Sequence, residues 1–290
     1  MTFENHTAPS SRIRQLDCAG RKLALDRTRI MGILNLTPDS FSDGGLWLGK
    51  PEAVRHALAM QEAGADIIDV GGESTRPGAQ AVSLQQELDR VIPVIESIVP
   101  QLSVVVSIDT SKPEVMREAV AAGAGMINDV NALRHNGAMQ AAAELAVPVC
   151  LMHMLGNPRV MQEKPVYDDV VEEVASFLLE RTRLCEHSGI SRENIVLDPG
   201  FGFGKTLEQN IKLFHALPDL MTRGYPLLVG VSRKAMIGQL TGREVTGRVA
   251  GSITAAALAA HTGVSIVRVH DVAETRDALK VTTALFPAWG

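Results

Sequence analysis

Eight short runs rich in valine, isoleucine and leucine punctuate the chain, at 30–34, 67–70, 104–108, 126–130, 148–152, 195–197, 227–231 and 266–269. At or just past the end of each stands a residue able to do chemistry: Asn35; Glu73, Ser74, Thr75 and Arg76; Asp109; Asn128; His153; Asp198; Ser232, Arg233 and Lys234; and His270. A strand buried on both faces reads as one continuous apolar run, and functional groups belong where it emerges at its carboxyl end. Helical patterns lie between the runs. Over 168–187, Val170, Val171, Val174, Phe177, Leu178 and Leu184 recur at helical spacing, with Glu172, Glu173, Glu180 and Arg181 facing away. Alternation of this kind predicts a parallel sheet, and eight units predict a single α/β domain of the TIM (β/α)8 barrel type. A doubly wound open sheet would concentrate its chemistry at one switch point rather than at eight strand ends.

Local signals sharpen the boundaries. Ser111 followed by Glu114, with Pro113 between them, has the form of a capping box and predicts a helix start just after Asp109. The words EAGADIIDV, AAGAGMIND, HSGISRENIVLD and HTGVSIVRV each place a glycine where a helix ends and a strand follows. Residues 1–28 fit no βα unit; 1–16 are expected to be a poorly structured segment, with one domain over 17–290. Within it, LDCAGRKLALD predicts a hairpin turning at Ala19, Gly20 and Arg21 that covers the amino-terminal end of the barrel.

A net charge of -5 and a pI near 5.9 argue against a nucleic-acid partner. The N-terminus lacks the apolar core of a signal peptide and no run is long enough to span a bilayer, so a cytoplasmic location without membrane contact is expected. Cys18, Cys150 and Cys185 show no metal-ligand spacing, and Cys150 reads as a small buried hydrophobe. His153, between Met152 and Met154, reads as structural, and it forms no convincing metal triad with His135 and His215.

The glycine-rich word DPGFGFGKT looks like a phosphate loop but fails the test. A Walker A pattern needs glycine five residues before Gly204, and Pro199 stands there; nor does the order Gly200, Gly202, Gly204 fit GxGxxG. It is expected to be a flexible loop with Phe203 free to cover a ligand. Asp109 and Asp198 could each merely cap a following helix, but with Asn128 between them they suit a ligand offering paired N–H donors. Arg76, Lys234, Arg268 and His270 form a positive counterpart suited to a phosphate or diphosphate. Arg268 sits inside the apolar run SIVRVHD, where a charge is costly unless paired. Lys234 could alternatively serve as a Schiff-base lysine, which requires a depressed pKa.

Taken together, MGILNLTPDSFSDGG (31–45), DIIDVGGESTRPGA (66–79), SIDTSKPEV, INDV, LMHMLGNP, DPGFGFGK, GVSRKAMIG and IVRVHDV resemble, in order and spacing, the dihydropteroate synthase family of pterin-binding barrels. The resemblance runs from about Asp17 to the C-terminus, with TGREVTG (241–247) matching least. It implies a transferase that joins 6-hydroxymethyl-7,8-dihydropterin diphosphate to 4-aminobenzoate in folate biosynthesis, needs magnesium, is a sulfonamide target and forms a homodimer. By position it implies that Asp109, Asn128 and Asp198 hold the pterin edge, with Met152 and Lys234 lining its pocket. Asn35 would contact magnesium, and Thr75, Arg268 and His270 the diphosphate. Phe41, Arg76, Pro77, Phe203 and Ser232 would frame 4-aminobenzoate, its carboxylate near Ser232 at a helix start. Lys234, Arg268, His270 and Asp109 are the implied catalytic set. The rivals are a methyltetrahydrofolate-dependent methyltransferase on the same barrel, a Schiff-base aldolase using Lys234, and a non-catalytic pterin-binding paralogue.

Overall fold

Each apolar run becomes a strand of one parallel sheet. The computed structural model describes residues 13–37, 49–74, 81–156 and 165–286. After an antiparallel hairpin, β1 (Gln15–Cys18) and β2 (Arg21–Ala24), come β3 (Arg29–Asn35), β4 (Ile67–Gly71), β5 (Val105–Asp109), β6 (Met126–Asp129), β7 (Val149–Met152), β8 (Ile195–Asp198), β9 (Leu228–Val229) and β10 (Ile266–Val269). The sheet order is β8-β7-β6-β5-β4-β3-β10-β9. Closure comes where Leu197 meets Leu227 and donates its N–H to the Pro226 carbonyl at 2.9 Å. The result is an eight-stranded barrel, as the alternation of runs predicts.

Helices α1 (Lys50–Glu62), α2 (Leu84–Ile98), α3 (Pro113–Ala121), α4 (Ala138–Leu145), α5 (Val170–His187), α6 (Leu207–His215), α7 (Leu217–Met221), α8 (Ala235–Thr241), α9 (Val249–His261) and α10 (Val272–Leu285) cover the outside. The four glycines expected at helix ends, Gly64, Gly123, Gly189 and Gly263, all have positive φ. Among the described residues no helix is long and apolar enough to cross a membrane.

Two helix expectations need correction. Lys112 is the N-cap of α3, which has no side-chain cap; the Ser111 hydroxyl is turned to the Asp129 carboxylate, to which it donates, and its oxygen accepts from Asn131 Nδ2 at 3.0 Å instead of from the helix N–H groups. Leu184 is 44% exposed, while Thr182 and Cys185 are buried. At about 100° per residue, Leu184 falls roughly 110° around the helix from the centre of the buried stripe.

The hairpin turns at Ala19 and Gly20, both with positive φ, the backbone that a two-residue turn between twisted strands requires. β1 begins at Gln15, so the boundary expected at 16/17 would cut this strand. Leu16, Cys18 and Leu23 pack in one cluster with the lowest inward-facing layer of the barrel, Met31, Ile67, Val105, Met126, Cys150, Val196, Leu228 and Ile266. The hairpin is therefore the floor of the barrel. Leu16, 0% exposed, fills its centre, and Leu16→Ala is expected to cost about 2–5 kcal/mol in urea unfolding.

Candidate active site

Side chains two apart on a strand share a face, so the layer above the apolar floor can be read off directly. It consists of Ile33, Asp69, Ser107, Asn128, Met152, Asp198, Gly230 and Arg268. Above it, at the strand ends, stand Asn35, Gly71, Asp109, Ser232 and His270. The barrel interior thus changes from hydrocarbon to polar in one step of the pleat. A cavity at this end is lined by Asp109, Asn128, Met152, Asp198, Phe203, Ser232, Lys234, Arg268 and His270, among others. Nine residues expected in the site therefore share one cavity.

Its centre is an ion-pair network. Arg268 donates from Nε to Asp69 Oδ2 at 2.6 Å and from Nη2 to Asp109 Oδ2 at 2.8 Å. Burial works against the Arg268 charge, but Asp69 and Asp109 outweigh it and hold the guanidinium protonated beyond its ordinary range. The positive charge expected to face a phosphate is thus already held by two carboxylates, because a guanidinium this deep needs them. Asn128 Nδ2 also donates to Asp69 Oδ2, at 3.0 Å. This contact fixes the amide orientation and turns Asn128 Oδ1 away as an acceptor.

Burial pushes the Asp109 carboxyl up to about 7, with Arg268 opposing and Asp69 adding to the rise. Asp198 is also raised by burial, against the Gly200 N–H, which donates to its Oδ1 at 2.7 Å, and the nearby Lys234. Burial draws Lys234 down to about 8, with Asp198 opposing. Its Nζ lies 4.0 Å from the centroid of the Phe203 ring.

Ser232 and His270 bind each other: the Ser232 hydroxyl meets His270 Nδ1 at 3.0 Å and accepts the His270 N–H at 3.2 Å. The helix expected at Ser232 starts three residues later, at Ala235, with Lys234 as its N-cap. Arg233 turns outward to Asp271, at 2.6 Å. Glu73 pairs with Lys112, which also holds the buried Glu87, so this carboxylate ties one strand-end loop to the next. Asn35 faces Asp109 across Gly71: a β-carbon built on Gly71 would lie 3.6 Å from Asn35 Oδ1 and 3.8 Å from Asp109 Oδ2. Phe41, Thr75, Arg76 and Pro77 lie outside the described residues.

The loop after β8 is packed against the barrel, and the Phe203 ring is covered rather than free. Phe203 is 8% exposed and packs with Met152 and Met154. Gly200, at φ +70°, lies so near that a β-carbon there would meet the His153 carbonyl oxygen at 1.9 Å. Gly200 and Gly204 serve close approach to the backbone just past β7, at His153 and Leu155, while Gly202 lies against the Lys234 side chain. His153 keeps its structural role: buried, and pushed down to about 3 by burial and then by Lys205.

Sequence reasoning missed Asp69 and Lys205. The argument applied to Arg268, a charge inside an apolar run, applies equally to Asp69 in IIDVG and would have found it.

The family described as "Pterin binding enzyme" matches residues 31–270. The chain belongs to the pterin-binding enzyme family. Within the pterin-binding enzymes its relatives are dihydropteroate synthases: that of Escherichia coli strain K12 is 53% identical over 274 residues, covering 94% of this chain and 97% of that protein. The structure of Xanthomonas albilineans dihydropteroate synthase with 4-aminobenzoic acid has a TM-score of 0.89 and 56% identity, covering 95% of this chain and 99% of that one. The same organism's enzyme in complex with 7,8-dihydropteroate has a TM-score of 0.86 at 54% identity, covering 95% and 100%. Likeness at this level spans both the pterin-binding barrel and the cavity at its carboxyl end.

Proposed function

We propose that this transferase condenses 6-hydroxymethyl-7,8-dihydropterin diphosphate with 4-aminobenzoate, giving 7,8-dihydropteroate and diphosphate. The observation that carries the reading is the row of acceptors in the cavity of a chain this similar to dihydropteroate synthases. Asn128 Oδ1, turned by Asp69, and the second oxygen of Asp198, whose first is held by Gly200, are matched to the N–H edge of an aminopyrimidinone ring.

In this assignment Asp109, Asn128 and Asp198 hold the pterin, with Met152 and Lys234 packing its ring. Arg268 acts mainly through the carboxylates it orders, and His270, with Thr75, faces the diphosphate. Phe203 and Ser232 border the place of 4-aminobenzoate, with Phe41, Arg76 and Pro77 completing it. The bond between the pterin methylene and oxygen breaks, its electron pair leaving with diphosphate, and the arylamine lone pair forms the new carbon–nitrogen bond. The electron-rich pterin stabilises the cationic methylene while Lys234 and His270 meet the departing charge. Once it has attacked, the arylamine nitrogen is positively charged and strongly acidic and gives its proton to water, so no dedicated base is needed.

Magnesium fits Asn35 as a single protein ligand: an amide oxygen in a gap left open by Gly71 suits an ion that keeps waters and takes phosphate oxygens. Bound there, it would neutralise the diphosphate. We further infer a cytoplasmic homodimer. The resemblance supports it, as does an apolar groove among α6, α8 and α9 where Leu240 and Leu258 are 57% and 53% exposed. Sedimentation equilibrium checks the dimer.

The test is diphosphate release from the pterin substrate with and without 4-aminobenzoate. Release that requires the arylamine supports the condensation, and binding without release would support a non-catalytic paralogue. The lowered pKa of Lys234 also suits a Schiff base. Borohydride trapping of a substrate adduct on Lys234 would favour an aldolase.

A further inference from the structure

Lys205 is 3% exposed, and among the described residues it has no carboxylate within ion-pair distance. Its Nζ is instead caged by His153 Nδ1 at 3.0 Å, the Gly200 carbonyl at 2.8 Å and the Phe203 carbonyl at 3.2 Å. An ammonium has three N–H donors, and here it has three acceptors. The His153 contact requires a neutral imidazole with its lone pair on Nδ1, which burial and Lys205 itself favour. A charge taken this far from water without a carboxylate in contact is costly, and burial brings Lys205 down to about 7, with Asp198 opposing from a distance. An apolar side chain would fill the space at less cost, so the value of the ammonium lies in what its hydrogen bonds hold.

They hold a turn. The two carbonyls belong to Gly200 and Phe203, the ends of the turn that presents the Phe203 ring. Asn210 braces the same turn from outside, its Oδ1 accepting the Gly202 N–H at 2.8 Å and its Nδ2 donating to the Lys205 carbonyl at 3.1 Å. The ring so fixed packs on Met152 and Met154 and lies under Lys234.

We propose that Lys205 is a positioning residue for the second substrate: by clamping the turn from Gly200 to Phe203 it fixes the Phe203 ring as a wall of the arylamine site. This rests on the reaction assigned above. Its effect falls first on the arylamine: Asp109 and Asn128, placed with the pterin, stand on β5 and β6 outside this turn, while Asp198 at its root and Met152 and Lys234 against the Phe203 ring pass a smaller effect to the pterin.

The test is steady-state kinetics of Lys205→Met and His153→Leu, the second variant keeping the lysine but removing one of its three acceptors. Lys205→Met is expected to raise KM for 4-aminobenzoate on the order of tenfold to a hundredfold, with pterin affinity in calorimetry lowered by a distinctly smaller factor and a native circular dichroism spectrum. His153→Leu is expected to shift the same KM in the same direction by less. Folded Lys205→Met with an unchanged KM for 4-aminobenzoate overturns the inference, as does equal weakening towards both substrates. Should Lys205→Met not fold, an unchanged KM in His153→Leu overturns it. Wild-type protein run alongside separates the two claims: no arylamine-dependent release there removes the assigned reaction and this inference with it, whereas normal release with unaltered variants removes the inference alone.

Discussion

Arg268→Met is expected to destabilise the protein by about 3–5 kcal/mol and to abolish pterin binding. The guanidinium is the counter-charge of Asp69, 0% exposed in the middle of β4, and of Asp109 at the end of β5. Methionine fills much of the same volume but leaves two carboxylates facing each other without it. Asn128 Nδ2 is then left as the hydrogen-bond donor to Asp69 Oδ2, too little to balance a buried charge.

The deficit carries a pH signature. Even with Arg268 present, the Asp109 carboxyl is pushed up to about 7, so the folded protein keeps a proton that the unfolded chain, near 3.8, has lost. A raised carboxyl pKa makes stability fall as pH rises between those values, and removing Arg268 raises it further. Urea unfolding of the variant should therefore show the largest loss at and above pH 7 and a smaller one near pH 5. A loss under about 1 kcal/mol at neutral pH would mean that the carboxylates do not depend on this cation.

Asp198→Asn is expected to weaken pterin binding by about 1.5–3 kcal/mol while the barrel stays folded. Asparagine keeps one oxygen, which can still accept the Gly200 N–H and hold the root of the loop. The other becomes an NH2 that meets ligand donors with a donor. Calorimetric titration with a pterin should show an affinity roughly ten- to a hundredfold lower, with a melting temperature close to that of wild type. Unchanged affinity would remove Asp198 from the pterin site.

Most of the fold was legible because it follows from short-range pattern. The apolar runs gave the strands, and their polar ends gave six residues of one cavity, Asp109, Asn128, Asp198, Ser232, Lys234 and His270, with Arg268 marked by its charge inside a run and Met152 and Phe203 placed by the family resemblance. The hairpin turn was legible at Ala19 and Gly20, and its packing under the barrel followed from the need to cover one end. Partnerships were not legible. Arg268 and Asp69 are 199 positions apart, and only the barrel register puts them at hydrogen-bond distance. The loop holding Phe203 looked free because three glycines suggest freedom in sequence. In space two of them allow close approach to the backbone just past β7, and the lysine that locks the turn is invisible until His153 is seen beside it. The cap expected at Ser111 failed for the same reason: its hydroxyl is engaged by distant partners, donating to Asp129 and accepting from Asn131, 18 and 20 residues away.

The central claim is that this cavity joins a pterin to an arylamine with loss of diphosphate. Mass spectrometry of the products from purified protein, 6-hydroxymethyl-7,8-dihydropterin diphosphate, 4-aminobenzoate and magnesium tests it most directly. One 7,8-dihydropteroate should form for each diphosphate released, with neither produced when the arylamine is omitted. Recovery of both substrates unchanged from protein that binds the pterin would contradict it.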